Sequence, residues 1–175
     1  MRLFIALLLT ACLTSNAVSQ SKIDKTLEKL NSNSVPYISV DELKHTENHI
    51  ILDTRTKKEF QVSHLKNALW VGHKKFQIDA LNKYVTDKNK PIVVYCSIGV
   101  RSENIGEKLL KAGYTNVQNL YGGIFEWKNK GNPVYDPEGN KTEKVHAYSK
   151  HWGKLLTKGD KIYQPKPEEL DTKHE

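Results

Sequence analysis

At 175 residues, with 38% hydrophobic and 27% charged residues, the chain suits one ordinary globular domain with extensions, able to bury a core without disulfide help. Its formal charge is +7, yet the lysines and arginines are scattered rather than gathered into one arm, which argues against a nucleic-acid partner. A solvated basic surface is the simplest reading of that excess, and it would also help to draw a small anion.

In chain order, the first element is a targeting segment. Arg2 precedes the apolar run Leu3 to Leu13, which is too short to span a bilayer and is followed by small and polar residues. Ala17-Val18-Ser19 offers small residues to a signal peptidase, giving residues 1–19 as signal peptide and a mature chain from Gln20. Leu9-Thr10-Ala11-Cys12 offers a competing lipobox-like pattern, which would tether the chain to a membrane through a lipidated Cys12. The apolar run before Cys12 is short for that, so the soluble exported form, periplasmic or secreted, is preferred. Either way Cys12 is removed or lipidated, and Cys96 is left as a lone thiol without a disulfide partner. Keeping such a thiol in an oxidising compartment, where it is open to damage, argues that it is used.

Residues 20–35 read as a polar linker-helix, centred on Ser21 to Asn33. Val35 to Val40 is a short strand, with Ser39 or Asp41 placed to cap a helix from Asp41 to Thr46. His49 to Arg55 is an apolar strand that ends in charge; Lys57 to His64 is a brief helix, and Ala68 to Gly72 another strand. Phe76 to Thr86 carries Phe76, Ile78, Leu81 and Tyr84 at helical spacing, which predicts core packing. A fully apolar strand, Pro91 to Cys96, is followed by a helix from Ser102 stopped at Gly113, a last strand from Asn116 to Leu120, and a closing helix opened by Gly122-Gly123. Strands alternating with helices predict an α/β domain whose parallel sheet is covered on both faces.

The chemistry concentrates at Cys96. A buried strand delivers the thiol to the sheet's carboxyl end, the loop Ser97-Ile98-Gly99-Val100-Arg101-Ser102 can turn its amides inward, and the next helix aims its positive end at the same point. A thiol so placed should be largely thiolate at neutral pH.

Three blocks then carry a resemblance to the rhodanese family, the single-domain sulfurtransferases. They are Ile51-Leu52-Asp53-Thr54-Arg55 with Glu59-Phe60 and His64-Leu65; Val94 through Ser102; and Leu120-Tyr121-Gly122-Gly123-Ile124 with Trp127 and Gly131. They lie in family order over residues 36–134, leaving 135–175 as a C-terminal extension. The resemblance implies a three-layer α/β/α domain with a central parallel sheet of about five strands, and a persulfide on Cys96 as working intermediate. Thiolate Cys96 would take the outer sulfur of a small anionic donor such as thiosulfate and yield it to cyanide or a thiol, including a protein thiol. The amides of Ser97 to Ser102 would stabilise the anionic sulfur, with Gly99 supplying backbone freedom. Arg101 would either pair with a sulfonate-like donor or brace the loop. Asp53, Arg55 and Glu59 are expected to form a charged network at the rim of the site, with Arg55 pairing to Glu59 or Asp53. His64 is expected to be a structural hydrogen-bonding residue and Trp127 a core residue.

Two alternatives share the resemblance. Phosphatases and arsenate reductases of the same superfamily hold one residue more between cysteine and arginine than the four found here, and the tighter ring suits one sulfur better than a tetrahedral oxyanion. A non-catalytic sulfur-binding or regulatory module would have little need of an intact Cys96 and Gly99. No cofactor or metal is called for; His73, His146 and His151 lack clustered thiol or carboxylate companions. Beyond Val134 the resemblance runs out, and the aromatics that follow, His146, Tyr148, His151 and Trp152, either wall the cleft or belong to a packed strap without a chemical role.

Overall fold

The computed structural model describes residues 22–163, so the expected targeting segment and the final charged tail lie outside the described residues. Five parallel strands make the central sheet: β1 (Tyr37–Ile38), β2 (Ile50–Asp53), β3 (Leu69–Trp70), β4 (Ile92–Tyr95) and β5 (Val117–Leu120), in the order β1-β5-β4-β2-β3. The predicted α/β architecture is thus present. β4 is central and all four of its side chains are buried, as a strand covered on both faces requires. Their alternation sorts the core into two layers. Val93 and Tyr95 point into a cluster with Ile38, Leu43, Leu65, Leu120, Ile124 and Phe125, whereas Ile92 and Val94 join Leu52, Leu81, Ile105, Leu109 and Val117 on the other face.

Helices cover both faces. α1 (22–30) buries Ile23 and Leu27, one turn apart, in the first cluster, so the expected linker-helix packs as part of the domain. α2 (Val40–His45) is capped by Ser39 through a reciprocal capping box with Glu42. α3 (Lys57–Val62) uses the same device, Thr56 with Glu59, and α6 (Gly123–Asn129) completes the layer. On the opposite face lie α4 (Ile78–Asn82) and α5 (Val100–Lys111), the latter burying Ser102, Ile105, Gly106 and Leu109 along one stripe. A Cβ on Gly106 would lie 2.8 Å from a Val35 methyl, so glycine lets α5 press onto the strand entry.

One expectation changes. The helix predicted from Phe76 to Thr86 is only the five residues of α4, because Gln77 provides no side-chain cap and the chain leaves the helix after Asn82. Leu81 and Val85 are buried, but Tyr84, expected in the core, is 80% exposed. The segment after Val134, expected either to wall the cleft or to pack as a strap, folds onto the domain. β6 (Val134–Tyr135) pairs antiparallel with β7 (Lys141–Thr142), and β8 (Lys144–His146) pairs parallel with β9 (Asp160–Ile162). Val145, Ala147, Leu155 and Leu156 thereby enter the first core cluster. No helix among the described residues is long and apolar enough to cross a membrane.

Candidate active site

Strand order places the site. The connection after β2 runs outward to β3 while the one after β4 runs the opposite way to β5, so the chain diverges between β2 and β4 and opens a crevice at their carboxyl ends. Cys96 follows β4 directly, and the segment after β2 brings Asp53, Arg55 and Glu59 to the same end.

The loop from Cys96 to Ser102 curls around the sulfur. Gly99 adopts φ 112°, ψ −3°, a conformation closed to most side chains, and its N–H donates to Cys96 Sγ at 3.1 Å. Its carbonyl is held from behind by Asn119 Nδ2 (2.8 Å) and Asn31 Nδ2 (3.1 Å). Ser102 Oγ donates its one proton to Asn119 Oδ1 (2.7 Å), which fixes the amide in turn. Beneath the loop, α6 begins with its amides on the loop carbonyls: Ile124 N to Cys96 O (3.0 Å) and Phe125 N to Ser97 O (3.1 Å). A Cβ on Gly123 would come within 2.4 Å of Cys96 O, so this approach needs glycine.

Burial pushes the Cys96 thiol up, but the Arg101 charge and the amides of Ser102 and Gly99 outweigh it, and the net shift is below the ordinary thiol value. Arg101 donates to both carboxylate oxygens of Glu59, at 2.7 and 2.8 Å, and to Ser97 Oγ at 3.0 Å. Glu59 also accepts from Thr56 N (2.9 Å) and Thr56 Oγ (2.8 Å). Although burial alone would raise Glu59, Arg101 in the first place, with Arg55 and the Thr56 amide, holds it at about 2. Glu59 thus caps α3 and anchors Arg101 with one carboxylate. Of the two roles open to Arg101, the geometry displays the bracing one.

Asp53 and Arg55 do not sit at a rim. Both are wholly buried, Arg55 Nη2 lying 2.6 Å from Asp53 Oδ2 and 2.6 Å from Ser63 O, with Tyr95 Oη donating to the same carboxylate. Of its two expected partners, Arg55 takes Asp53. Charge at this point is driven inward because Arg55 follows β2 by two residues and its own backbone N–H already binds Asp53 Oδ1 (2.9 Å). His64 Nδ1 lies 3.2 Å from Phe60 O and its ring stacks on Phe60, while Trp127 is half-buried with Nε1 donating to Pro133 O (2.9 Å).

Above Cys96 lies a pocket of about 140 Å³ lined by Leu30, Ser97, Ile98, Val100, Arg101, Tyr148 and Trp152. Of these walls, Leu30 was given no site role from sequence, whereas Tyr148 and Trp152 take the cleft wall that was one of the two roles open to the C-terminal aromatics. Leu30 arrives on α1, and Tyr148 and Trp152 on the C-terminal segment, Tyr148 with its ring 5.3 Å from the Arg101 guanidinium carbon. Asn31 and Asn119, which hold the loop, were likewise missed; an asparagine two residues from Val117 on the same face of β5, as at Asn119, is the signal that could have found one of them.

The Rhodanese-like domain family model matches residues 38–130. The chain belongs to the rhodanese family. It is 31% identical over 94 residues to Thiosulfate sulfurtransferase GlpE of Coxiella burnetii, an alignment covering 54% of this chain and 85% of that protein. It is 35% identical over 86 residues to Adenylyltransferase and sulfurtransferase UBA4 of Candida albicans, covering 46% of this chain but only 20% of that protein. The crystal structure of a thiosulfate sulfurtransferase from Pseudomonas aeruginosa superposes with TM-score 0.55 at 20% identity, over 81% of this chain and 26% of that one, a likeness of fold. The rhodanese match ends at residue 130, so the aromatic wall of the Cys96 pocket comes from outside it.

Proposed function

We propose that this rhodanese-family chain is a sulfurtransferase that moves a sulfane sulfur from a donor such as thiosulfate to a thiol or cyanide acceptor through a persulfide on Cys96. The Cys96 thiolate attacks the donor's outer sulfur; the new S–S bond forms as the donor's own S–S bond breaks, and sulfite leaves with the bonding pair. An acceptor nucleophile then attacks the terminal sulfur and Cys96 departs as thiolate. The carrying observation is the Gly99 amide at 3.1 Å from Sγ, in a ring of only four residues between Cys96 and Arg101. Such a ring stabilises a single anionic sulfur. The sulfurtransferase name of the Coxiella relative, matched over 85% of its length, supports the same reading.

Intact mass of the purified protein before and after thiosulfate tests the relay, with Cys96→Ser alongside. The expected result is a gain of one sulfur atom that a thiol reverses and the serine variant lacks. A loaded serine variant, or a wild-type protein that takes no sulfur but cleaves aryl phosphates, would overturn it in favour of another residue or of phosphatase chemistry.

We further propose that the chain works outside the cytoplasm, on the strength of Arg2 and the apolar run Leu3 to Leu13. The mature N-terminus is the direct readout: Gln20 for cleavage after Ser19, a lipidated Cys12 for the anchored form.

A further inference from the structure

Beside the small Cys96 pocket runs a second, larger cavity of about 830 Å³, and Arg101 and Tyr148 line both. Its apolar floor is Trp70, Phe76, Leu81 and Tyr84, of which Trp70 is 41% and Tyr84 80% exposed. His73, Lys74 and Lys75 also line it, and no aspartate or glutamate does. Lys57 adds charge at one end, its Nζ 4.8 Å from the centre of the Trp70 ring. Exposed aromatics of this size left bare beside a nucleophile are characteristic of a binding surface.

Two further observations select the occupant. β3 is the outer strand of the sheet, paired to β2 on one side, and both its residues, Leu69 and Trp70, are exposed and line this groove. An unpaired strand edge beside an apolar trough accepts an extended polypeptide. The cationic lining without carboxylates selects an acidic one. Resting on the sulfur-transfer reading above, we infer that this groove binds an extended acidic segment of a partner protein, which brings an acceptor thiol past Tyr148 to the Cys96 persulfide. In that step the acceptor thiol loses its proton to solvent and attacks the terminal sulfur; an S–S bond forms on the acceptor, that on Cys96 breaks, and Cys96 leaves as thiolate.

The probe is a capped peptide of about eight residues, long enough to lie extended over roughly 25 Å, with alternating glutamate and leucine around a central serine in place of cysteine. Titrated against the full chain and followed by tryptophan fluorescence, it should bind with an affinity that falls as salt rises, and Lys74→Glu with Lys75→Glu should weaken it by about tenfold or more. That double variant should load sulfur from thiosulfate as the wild type does. Binding of the serine peptide needs no sulfur chemistry, so it judges the groove even if Cys96 carries no sulfur. In a second arm, the cysteine form of the peptide should discharge the Cys96 persulfide at least about tenfold faster than mercaptosuccinate, a small dianionic thiol, at equal concentration. Equal binding of a lysine-for-glutamate peptide, unchanged affinity in the double variant, or equal discharge by mercaptosuccinate would each overturn the inference. So would displacement of the probe by a peptide of residues 164–175, or loss of binding as the chain self-associates, since the occupant would then be this chain itself.

Discussion

Two arginine–carboxylate pairs lie within one crevice and differ in what they leave open. Arg55 and Asp53 are both fully buried, and the carboxylate is held by Arg55 and Tyr95. Arg101 retains 23% side-chain exposure, lines two cavities, one of them with Cys96, and lowers the Cys96 pKa by its charge, while its partner Glu59 is 1% exposed. A pair removed from water on both sides is fixed by its neighbours and cannot respond to a ligand; a pair with only its anchor buried presents a rigid cation to whatever enters. The same two residue types thus build the scaffold in one place and an electrostatic wall in the other.

Substituting each arginine separates the two roles. Arg55→Met should cost about 3–5 kcal/mol, because it strands Asp53 as a buried charge; urea unfolding measures it, and a loss under about 1 kcal/mol would erase the distinction. If that variant does not fold, the uncharged pair Asp53→Asn with Arg55→Gln should recover a folded chain that still loads sulfur. Arg101→Met should act on chemistry. Sulfur loading should fall about 100-fold, as when one preorganised donor is removed from an anionic centre. Arg101 lowers the thiol pKa, so its removal raises it, and the thiolate-dependent limb of the rate must move to higher pH. Stability should fall less than for Arg55, since Glu59 keeps the Thr56 amide and hydroxyl. A rate–pH profile and a denaturation curve on the same preparation check both halves, and an unmoved pH limb would show that Arg101 does not tune the thiol.

That contrast was only half legible in the sequence. The Cys96 loop and the sheet around it could be read because their signals are local: an apolar strand, a turn glycine, a helical stripe from Ser102 to Leu109. Asp53, Arg55 and Glu59 were placed together at a rim because charge after a strand usually meets water; only the fold reveals that the Tyr95 hydroxyl and the Ser63 carbonyl lie beneath to bond Asp53 and Arg55 Nη2. Tyr84 shows the opposite failure. It shares the helical spacing of Leu81, but α4 ends at Asn82 and the ring is left outside. The tail was least readable of all. Val145, Ala147, Leu155 and Leu156 are too sparse for a periodic signal, and they are buried because β8 lies along β9 over a face already built by α3 and α6.

Tyr148 carries the smallest effect and the sharpest test of where the wall ends. It is held at φ 62° in the bend after β8, where its N–H donates to His146 Nδ1 at 3.1 Å, and this sets its ring over Arg101. Burial lowers the His146 pKa, so the neutral ring that can accept this bond is favoured at neutral pH. The contact with Arg101 is made by the aromatic face, worth about 0.5–1 kcal/mol for a partly exposed cation–π pair. Tyr148→Ala should therefore slow sulfur loading by about two- to fivefold with little change in stability, and Tyr148→Phe, which keeps the face and loses only the hydroxyl, should match the wild type. If phenylalanine instead behaves like alanine in single-turnover loading, the hydroxyl rather than the ring is the working group, and the exposed side of Arg101 is tuned by hydrogen bonding from the C-terminal segment.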